Sequence, residues 1–222
     1  VGNKGEIEML SNLFGGRKEQ EDQIKSAGRL PPGQSLTQKF PVLHYGPVPS
    51  FNPATWDFRV FGLVEAEKRW TWDEFNQLPR RKMAMDIHCV TRWSKFDTVW
   101  EGVHLQDLID QGYIKIKPEA KFIMQHCEYG FTVNVPIEVA LSDVFLMATH
   151  FDGQPLEADH GYPLRGVAGA LPGQHSEEDR YFWKGGKWLR GLEFMSSDRP
   201  GFWEQAGYSM TANVWKEERF GW

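Results

Sequence analysis

At 222 residues and 25.6 kDa the chain is long for one compact domain and short for two, so one large domain or one domain with an appended arm is expected. Its 41% hydrophobic and 14% aromatic residues, among them 10 Trp, are too much bulky apolar surface for a disordered chain. Lys+Arg 25 against Asp+Glu 30 leaves a net charge of −5, which argues against a nucleic-acid partner, and no apolar run approaches the ~18 residues of a membrane span.

Residues 1–38 are polar, broken by Gly15-Gly16, Gly28 and Pro31-Pro32-Gly33, and helical only over the charged run Arg17 to Lys25; they read as a peripheral N-terminal arm. The body, 39–222, opens with Pro41 to Pro49, too rich in proline for a central strand. Trp56, Phe58 and Val60 alternate with Asp57 and Arg59 as a strand ending at Gly62. Thr71-Trp72-Asp73-Glu74 is a capping box opening a short helix toward Leu78, where Pro79 stops it. Met83, Met85 and Ile87 alternate again, so a strand delivers His88 and Cys89 at its end. A loop through Trp100 and a helix over Leu105, Leu108 and Ile109, closed by Gly112, come next. Phe122 to Cys127 and Phe131 to Val135 read as strands, Ile137 to Leu141 as a helix, Val144 to Thr149 as a buried strand, and Asp152-Gly153 as a hairpin turn. Strands over Pro163 to Val167 and Lys187 to Phe194 flank the polar excursion Gly173 to Arg180. Many short strands with few short helices predict an α+β domain rich in mixed sheet, and without a glycine fingerprint opening a long helix a Rossmann arrangement is excluded.

Cys89 is the first chemical candidate, because a thiol where a strand runs into a loop is presented rather than packed; by position it is an inert buried Cys or a ligand or nucleophile. With Cys127 it makes only two cysteines, too few for a disulfide-stapled scaffold; this is compatible with a reducing cytoplasm, with export of a folded chain to a periplasm left open. Asp159-His160-Gly161-Tyr162-Pro163-Leu164-Arg165 places an imidazole and a guanidinium at fixed offsets before a strand, either a turn with a surface Arg or an anion site. Lys184-Gly185-Gly186-Lys187 lets the backbone approach a ligand with its amides inward, or is a plain turn. Arg92 is a solvated charge or an anion guide beside the thiolate, and Trp93, Phe96 and Trp100 are expected at the core or its rim.

Asp86-Ile87-His88-Cys89-Val90-Thr91-Arg92-Trp93-Ser94, followed by Trp100-Glu101-Gly102-Val103 and Leu105, resembles the molybdenum-cysteine region of the sulfite oxidase superfamily. The resemblance extends to Asp159 through Arg165 and to Gly186-Lys187-Trp188-Leu189 through Glu193-Phe194. The ending, Pro200-Gly201-Phe202-Trp203-Glu204 to Lys216-Glu217-Glu218-Arg219-Phe220, resembles the stand-alone bacterial branch called sulfite oxidase-like oxidoreductases, so that about residues 40 to 222 are covered.

The resemblance implies a molybdopterin-binding fold and a molybdenum cofactor, a pyranopterin dithiolene with one phosphate, for which Cys89 supplies the protein's sulfur ligand to Mo. Residue by residue, it implies His160 and Arg165 at the pterin and phosphate, Gly185, Gly186 and Lys187 in place of the family's Ser-Val-Lys, and Leu43, His44 and Tyr45 in place of its Arg-Asn-His. His126 or Cys127 falls near a further contact, and Arg92 near the open face. Leu43 replaces an arginine that holds sulfite in animal and plant sulfite oxidases. The implied activity is two-electron oxygen-atom transfer on a small sulfur substrate, by sulfite-type oxidation or S-oxide reduction, with electrons exchanged with an external protein such as a cytochrome. The alternative is a non-catalytic relative that binds a protein through Trp203, Trp215 and Trp222; a cysteine-based redox protein is a third option.

Overall fold

In the computed structural model of the chain, Gly16 and residues 18–221 are described; most of the expected Gly15-Gly16 break, Arg17 and Trp222 lie outside them. Two sheets carry the fold. The first is built on the path β1 (Ser35–Leu36), β5 (Trp93–Val103), β8 (Phe145–Phe151) and β10 (Arg165–Ala168), with β4 (Arg81–His88) also on β5 and β9 (Gln154–Pro155) on β8. The second runs β3 (Lys68–Thr71), β2 (Asp57–Gly62), β11 (Leu189–Met195), β6 (Phe122–Cys127) and β7 (Thr132–Pro136). Parallel β1–β5 and β2–β11 pairs among antiparallel ones make both sheets mixed, and the helices Trp72–Asn76, Leu105–Asp110, Ile137–Leu141 and Phe202–Gln205 are short, as an α+β domain of this kind requires.

The sheets form as the alternation predicts. Phe58 and Val60 of β2 are fully buried while Arg59 between them is exposed, and they join Ile123, Val135, Leu192 and Phe194 of the same sheet and Phe145 and Met147 of the other in the main core. Each such side chain contributes about 1.5–3 kcal/mol by leaving water. Thr71 closes a complete capping box on Trp72–Asn76; the helix stops before Leu78, whose amide makes a tight turn to Phe75 O ahead of Pro79. Asp152 and Gly153 both take positive φ, 47° and 80°, in the hairpin joining β8 to β9.

Two expectations fail. The loop through Trp100 is the eleven-residue strand β5. Its inward positions include polar Ser94 and Thr98, which hide the alternation; Ser94 Oγ bonds His88 Nδ1 at 2.8 Å, and Thr98 Oγ1 donates to Met85 O and accepts from Trp100 Nε1. The N-terminal arm is peripheral only in part. After the helical residues 18–26, the Arg29 guanidinium grips buried Asp86 at 2.8 Å, and Ser35–Leu36 adds to the first sheet with Leu36 3% exposed. The excursion Gly173 to Arg180 packs on the C-terminal segment, where Trp215 Nε1 donates to Asp179 Oδ2 and Asn213 Nδ2 to Glu177 O.

Candidate active site

Cys89 stands one residue beyond β4, in the tight turn that joins β4 to β5. Its amide donates to Trp93 O at 2.8 Å, the Arg92 amide donates back to Cys89 O at 3.0 Å, and Arg92 closes the turn with φ 74°. Cys89, 8% exposed, lines a cavity of about 500 Å³, within the range of small-molecule and cofactor sites. Thr91 Oγ1 donates to Cys89 Sγ at 3.2 Å, which holds the sulfur in place.

The same cavity is lined by three basic side chains from the chain's second half. His160 ends a single turn of 3-10 helix, Ala158–His160, where Gly161 with φ 111° reverses the backbone. Its ring stacks on Phe40 with centroids 3.9 Å apart, and its Nδ1 is buried without a protein partner. Burial, then Lys187 and Arg165, push its pKa down to about 4, so the imidazole is neutral near pH 7. Arg165, at the start of β10 and 1% exposed, donates to His160 O at 2.9 Å and lies over the Phe182 ring; burial pulls it down to about 9. Lys187 Nζ donates to Asp159 O at 2.6 Å, and burial, then Arg165, bring it down to about 7. Arg165 and Lys187, two cations crowded out of water and against each other beside a neutral imidazole, form a site whose electrostatics an anion would relieve.

Of the residues singled out in the sequence, Leu43, His44, Tyr45, Cys89, His160, Arg165, Gly185 and Lys187 line this one cavity. Four others do not. Arg92 is exposed and turns back to the arm, its Nη1 3.5 Å from Gly33 O. His126 sits on the outer face of β6, where Nε2 pairs with Glu193 Oε2 at 2.9 Å. Cys127 is buried behind the loop, its thiol pushed up by burial. Gly186 lies against it: a Cβ there would sit 2.5 Å from Cys127 Sγ, and one on Gly185 would strike Gly166 O. Close packing therefore accounts for both glycines. Their amides are engaged within the protein, Gly185 N to Phe182 O and Gly186 N to Gln125 Oε1, and do not point at a ligand.

The aromatic wall of the cavity has no periodic signature in the sequence. Phe131, Phe202, Trp203 and Tyr208 pack in series with Tyr45, neighbouring centroids 4.9 to 6.4 Å apart. The available signal was the aromatic C-terminal stretch, but the structure divides it: Trp203 lines the cavity, whereas Trp215 stacks on His175 at 3.7 Å.

The donor set suits a phosphate-bearing, sulfur-ligated metal cofactor: one presented thiol supported by a hydroxyl, an unpartnered buried imidazole nitrogen, and crowded cations lining the same cavity. Residues 45–203 match the family model described as the oxidoreductase molybdopterin binding domain. The chain is 40% identical over 211 residues to the oxidoreductase YuiH of Bacillus subtilis, covering 95% of this chain and 100% of that one. A chain of Azospira oryzae provisionally named a protein-methionine-sulfoxide reductase subunit is 26% identical, over 80% of this chain and 64% of its own length. Mitochondrial sulfite oxidase of Rattus norvegicus is 22% identical over 80% of this chain, which spans only 37% of that protein. Among solved structures, the sulfane dehydrogenase SoxCD from Paracoccus pantotrophus superposes with a TM-score of 0.56 at 19% identity, covering 69% of this chain and 41% of that one, a likeness of fold. With a presented thiol, a basic cavity and a family match over most of its length, the chain belongs to the oxidoreductase molybdopterin-binding domain family, enzymes of the sulfite oxidase type that carry a molybdenum cofactor.

Proposed function

We propose that the chain catalyses two-electron oxygen-atom transfer on a small organic sulfur substrate, and that a neutral S-oxide or thioether suits the site better than free sulfite. One observation carries the preference: the cavity that Cys89 lines is walled by aromatic rings and has few free cations. Among the described residues Arg165 is the one guanidinium lining it, and its Nε and Nη1 bond Gly166 O and His160 O; Leu43 is apolar and Arg92 faces the arm. With Lys187 and Arg165 committed to the cofactor's phosphate, a sulfite anion would have to leave water for an aromatic surface that offers it little further charge, whereas an apolar organic group gains from the same surface.

The molybdenum cofactor, when bound, supplies the oxygen-atom transfer chemistry. The chain's residues do the holding. Cys89 ligates the metal as a thiolate, with the Thr91 hydroxyl donating to its sulfur. Lys187 and Arg165 hold the phosphate, and neutral His160 uses its free Nδ1 toward the pterin. His44, whose ring meets Trp188 edge-on at 5.3 Å, and Tyr45 border the pterin from the exposed segment before β2. Phe131, Phe202 and Trp203 exclude water and receive the organic part of the substrate. Electrons pass to or from an external protein such as a cytochrome. No helix among the described residues is long and apolar enough to cross a membrane, and a cytoplasmic setting, with the periplasm as the other, is our proposal for the compartment.

Steady-state turnover of the loaded enzyme with dialkyl and aryl sulfoxides plus a reduced viologen dye, against sulfite plus an acceptor, tests this. Sulfoxide turnover with a KM that rises in Trp203→Ala is the expected result. Saturable sulfite oxidation with inert sulfoxides would overturn it.

A further inference from the structure

The Cys89–Arg92 turn is held from outside by two segments far away in sequence. Gln34 Nε2, from the arm, donates to Cys89 O at 3.1 Å, and Arg219 Nη1, from the C-terminal segment, donates to Val90 O at 2.8 Å. The Ser35 amide donates to Arg92 O at 2.9 Å. The two residues are 7% and 5% exposed, so these bonds form in a region from which water is largely excluded. Arg219 also reaches Pro32 O with Nη2 at 3.4 Å and lies over the Tyr181 ring at 4.8 Å, which ties the arm, the turn and the C-terminal segment together. Gly33, with φ 66°, sits under this cluster, where a Cβ would fall 2.8 Å from Arg92 Nη1 and 3.2 Å from Arg219 Nη2.

We infer that Gln34 and Arg219 are positioning residues that aim the Cys89 thiol into the cavity. The Cys89 amide is fixed on Trp93 O and its carbonyl accepts from the Arg92 amide within the turn, so Gln34 adds a second bond to that carbonyl from outside the turn. Gln34 steadies that carbonyl's peptide plane and Arg219 the next, which sets the Cα–Cβ direction of Cys89, while the Thr91 hydroxyl on Sγ holds the rotamer. A hairpin turn with its carbonyls in water would let the thiol swing. The consequence for the cofactor rests on Cys89 being the metal ligand: the pinned turn presents sulfur in ligating orientation before loading and holds it there afterwards.

The test uses the full chain, metal-free and cofactor-loaded, as wild type, Gln34→Leu, Arg219→Met, Arg219→Lys and the exposed arm control Gln38→Ala. Iodoacetamide labelling of Cys89 and Cys127 is followed by peptide mass spectrometry at one pH, beside thermal unfolding, Mo content and the Mo(V) electron paramagnetic resonance spectrum. One lost buried hydrogen bond corresponds to an about tenfold faster Cys89 labelling in the metal-free Gln34→Leu and Arg219→Met chains. Cys127 is expected to keep its rate, Gln38→Ala to match wild type, and Arg219→Lys to fall between. The loaded variants are expected to show less Mo per chain and a shifted Mo(V) spectrum. Cys89 labelling within about twofold of wild type in both metal-free variants, or Cys89 and Cys127 accelerating together with a falling Tm, would overturn the inference. Should Arg219→Met not fold, Gln34→Leu and Arg219→Lys decide it alone. The ligand assignment is read from a different comparison: it fails if Cys89 labels as fast in the loaded wild type as in the metal-free one.

Discussion

Lys187 gives the site a pH signature with an unusual sign. Burial, then the Arg165 guanidinium, bring its pKa from 10.5 down to about 7. In the metal-free chain the unfolded state therefore binds more protons than the folded state between about pH 7 and 10.5, so this group makes stability rise with pH across that window. Below about pH 7 both states hold the proton and the full penalty applies. At about 1.4 kcal/mol per unit the displacement is worth about 5 kcal/mol, and about 2–3 kcal/mol after discounting for the side chain's partial contact with solvent. Lys187→Met removes the ammonium and keeps the stem. Urea denaturation of metal-free wild type and variant at pH 6.5, 8 and 9.5 is the assay, and the difference between the two chains cancels every other titrating group. The variant is expected to be more stable at pH 6.5 by about 2–3 kcal/mol, with the gap narrowed to about a third of that at pH 9.5. On the proposed role of Lys187 at the phosphate, loading is expected to reverse the order, because an anion beside the ammonium favours its charged form and the variant lacks that partner. A wild-type-minus-variant difference that stays flat from pH 6.5 to 9.5 would refute the claim that Lys187 is a desolvated cation crowded by Arg165.

Three further outcomes follow from particular contacts. Gly186→Ala drives a Cβ into Cys127 Sγ and is expected to cost about 1–3 kcal/mol in chemical denaturation, most of it recovered in the double exchange with Cys127→Ala, where the sulfur is gone. Lys184 is fully buried, and its Nζ pairs with the Glu204 carboxylate and bonds Asn134 Oδ1; Lys184→Met strands a buried carboxylate and is expected to lower stability by about 3–5 kcal/mol, with Glu204→Gln in the same chain restoring at least half. Cys89→Ser replaces a soft thiolate by a hard, weakly acidic hydroxyl and is expected to retain below about a tenth of the wild-type Mo by elemental analysis while still folding.

The parts of the fold that could be read from sequence are those whose side chains alternate with polarity. In β2, β4 and β6 the inward residues are mostly apolar, and the strands fall within one or two residues of their expected limits. In β5 the same geometry is present with buried hydroxyls at inward positions, and no periodicity scale distinguishes a Thr that donates to Met85 O from a Thr in water. The arm misleads for the opposite reason. Its composition is that of a solvated tail, yet Arg29, Gln34 and Ser35 are polar because their partners are the Asp86 carboxylate and the carbonyls of the Cys89 turn. Polarity there records specific hydrogen bonds, which only the tertiary structure identifies.

The site divides along the same line. The place of Cys89 at the end of a strand, in a tight turn, follows from one local rule, and His160 and Arg165 keep their offsets because a short local segment connects them. For His126 and Cys127 the relevant rule is the two-residue period of β6, in which Ile123, Gln125 and Cys127 share a face and His126 takes the other. That parity already excludes His126 from any site Cys127 could reach, and it puts an amide, Gln125, on a fully buried face where both of its ends need partners. Those partners are Lys184 O, at 2.7 Å from Nε2, and the Gly186 amide, at 2.9 Å from Oε1. Gln125 thus brackets the loop that ends in Lys187. Its placement can be deduced from strand parity and polar satisfaction before any ligand is invoked, and the loop's two glycines then follow from how closely that bracket and Cys127 must approach it.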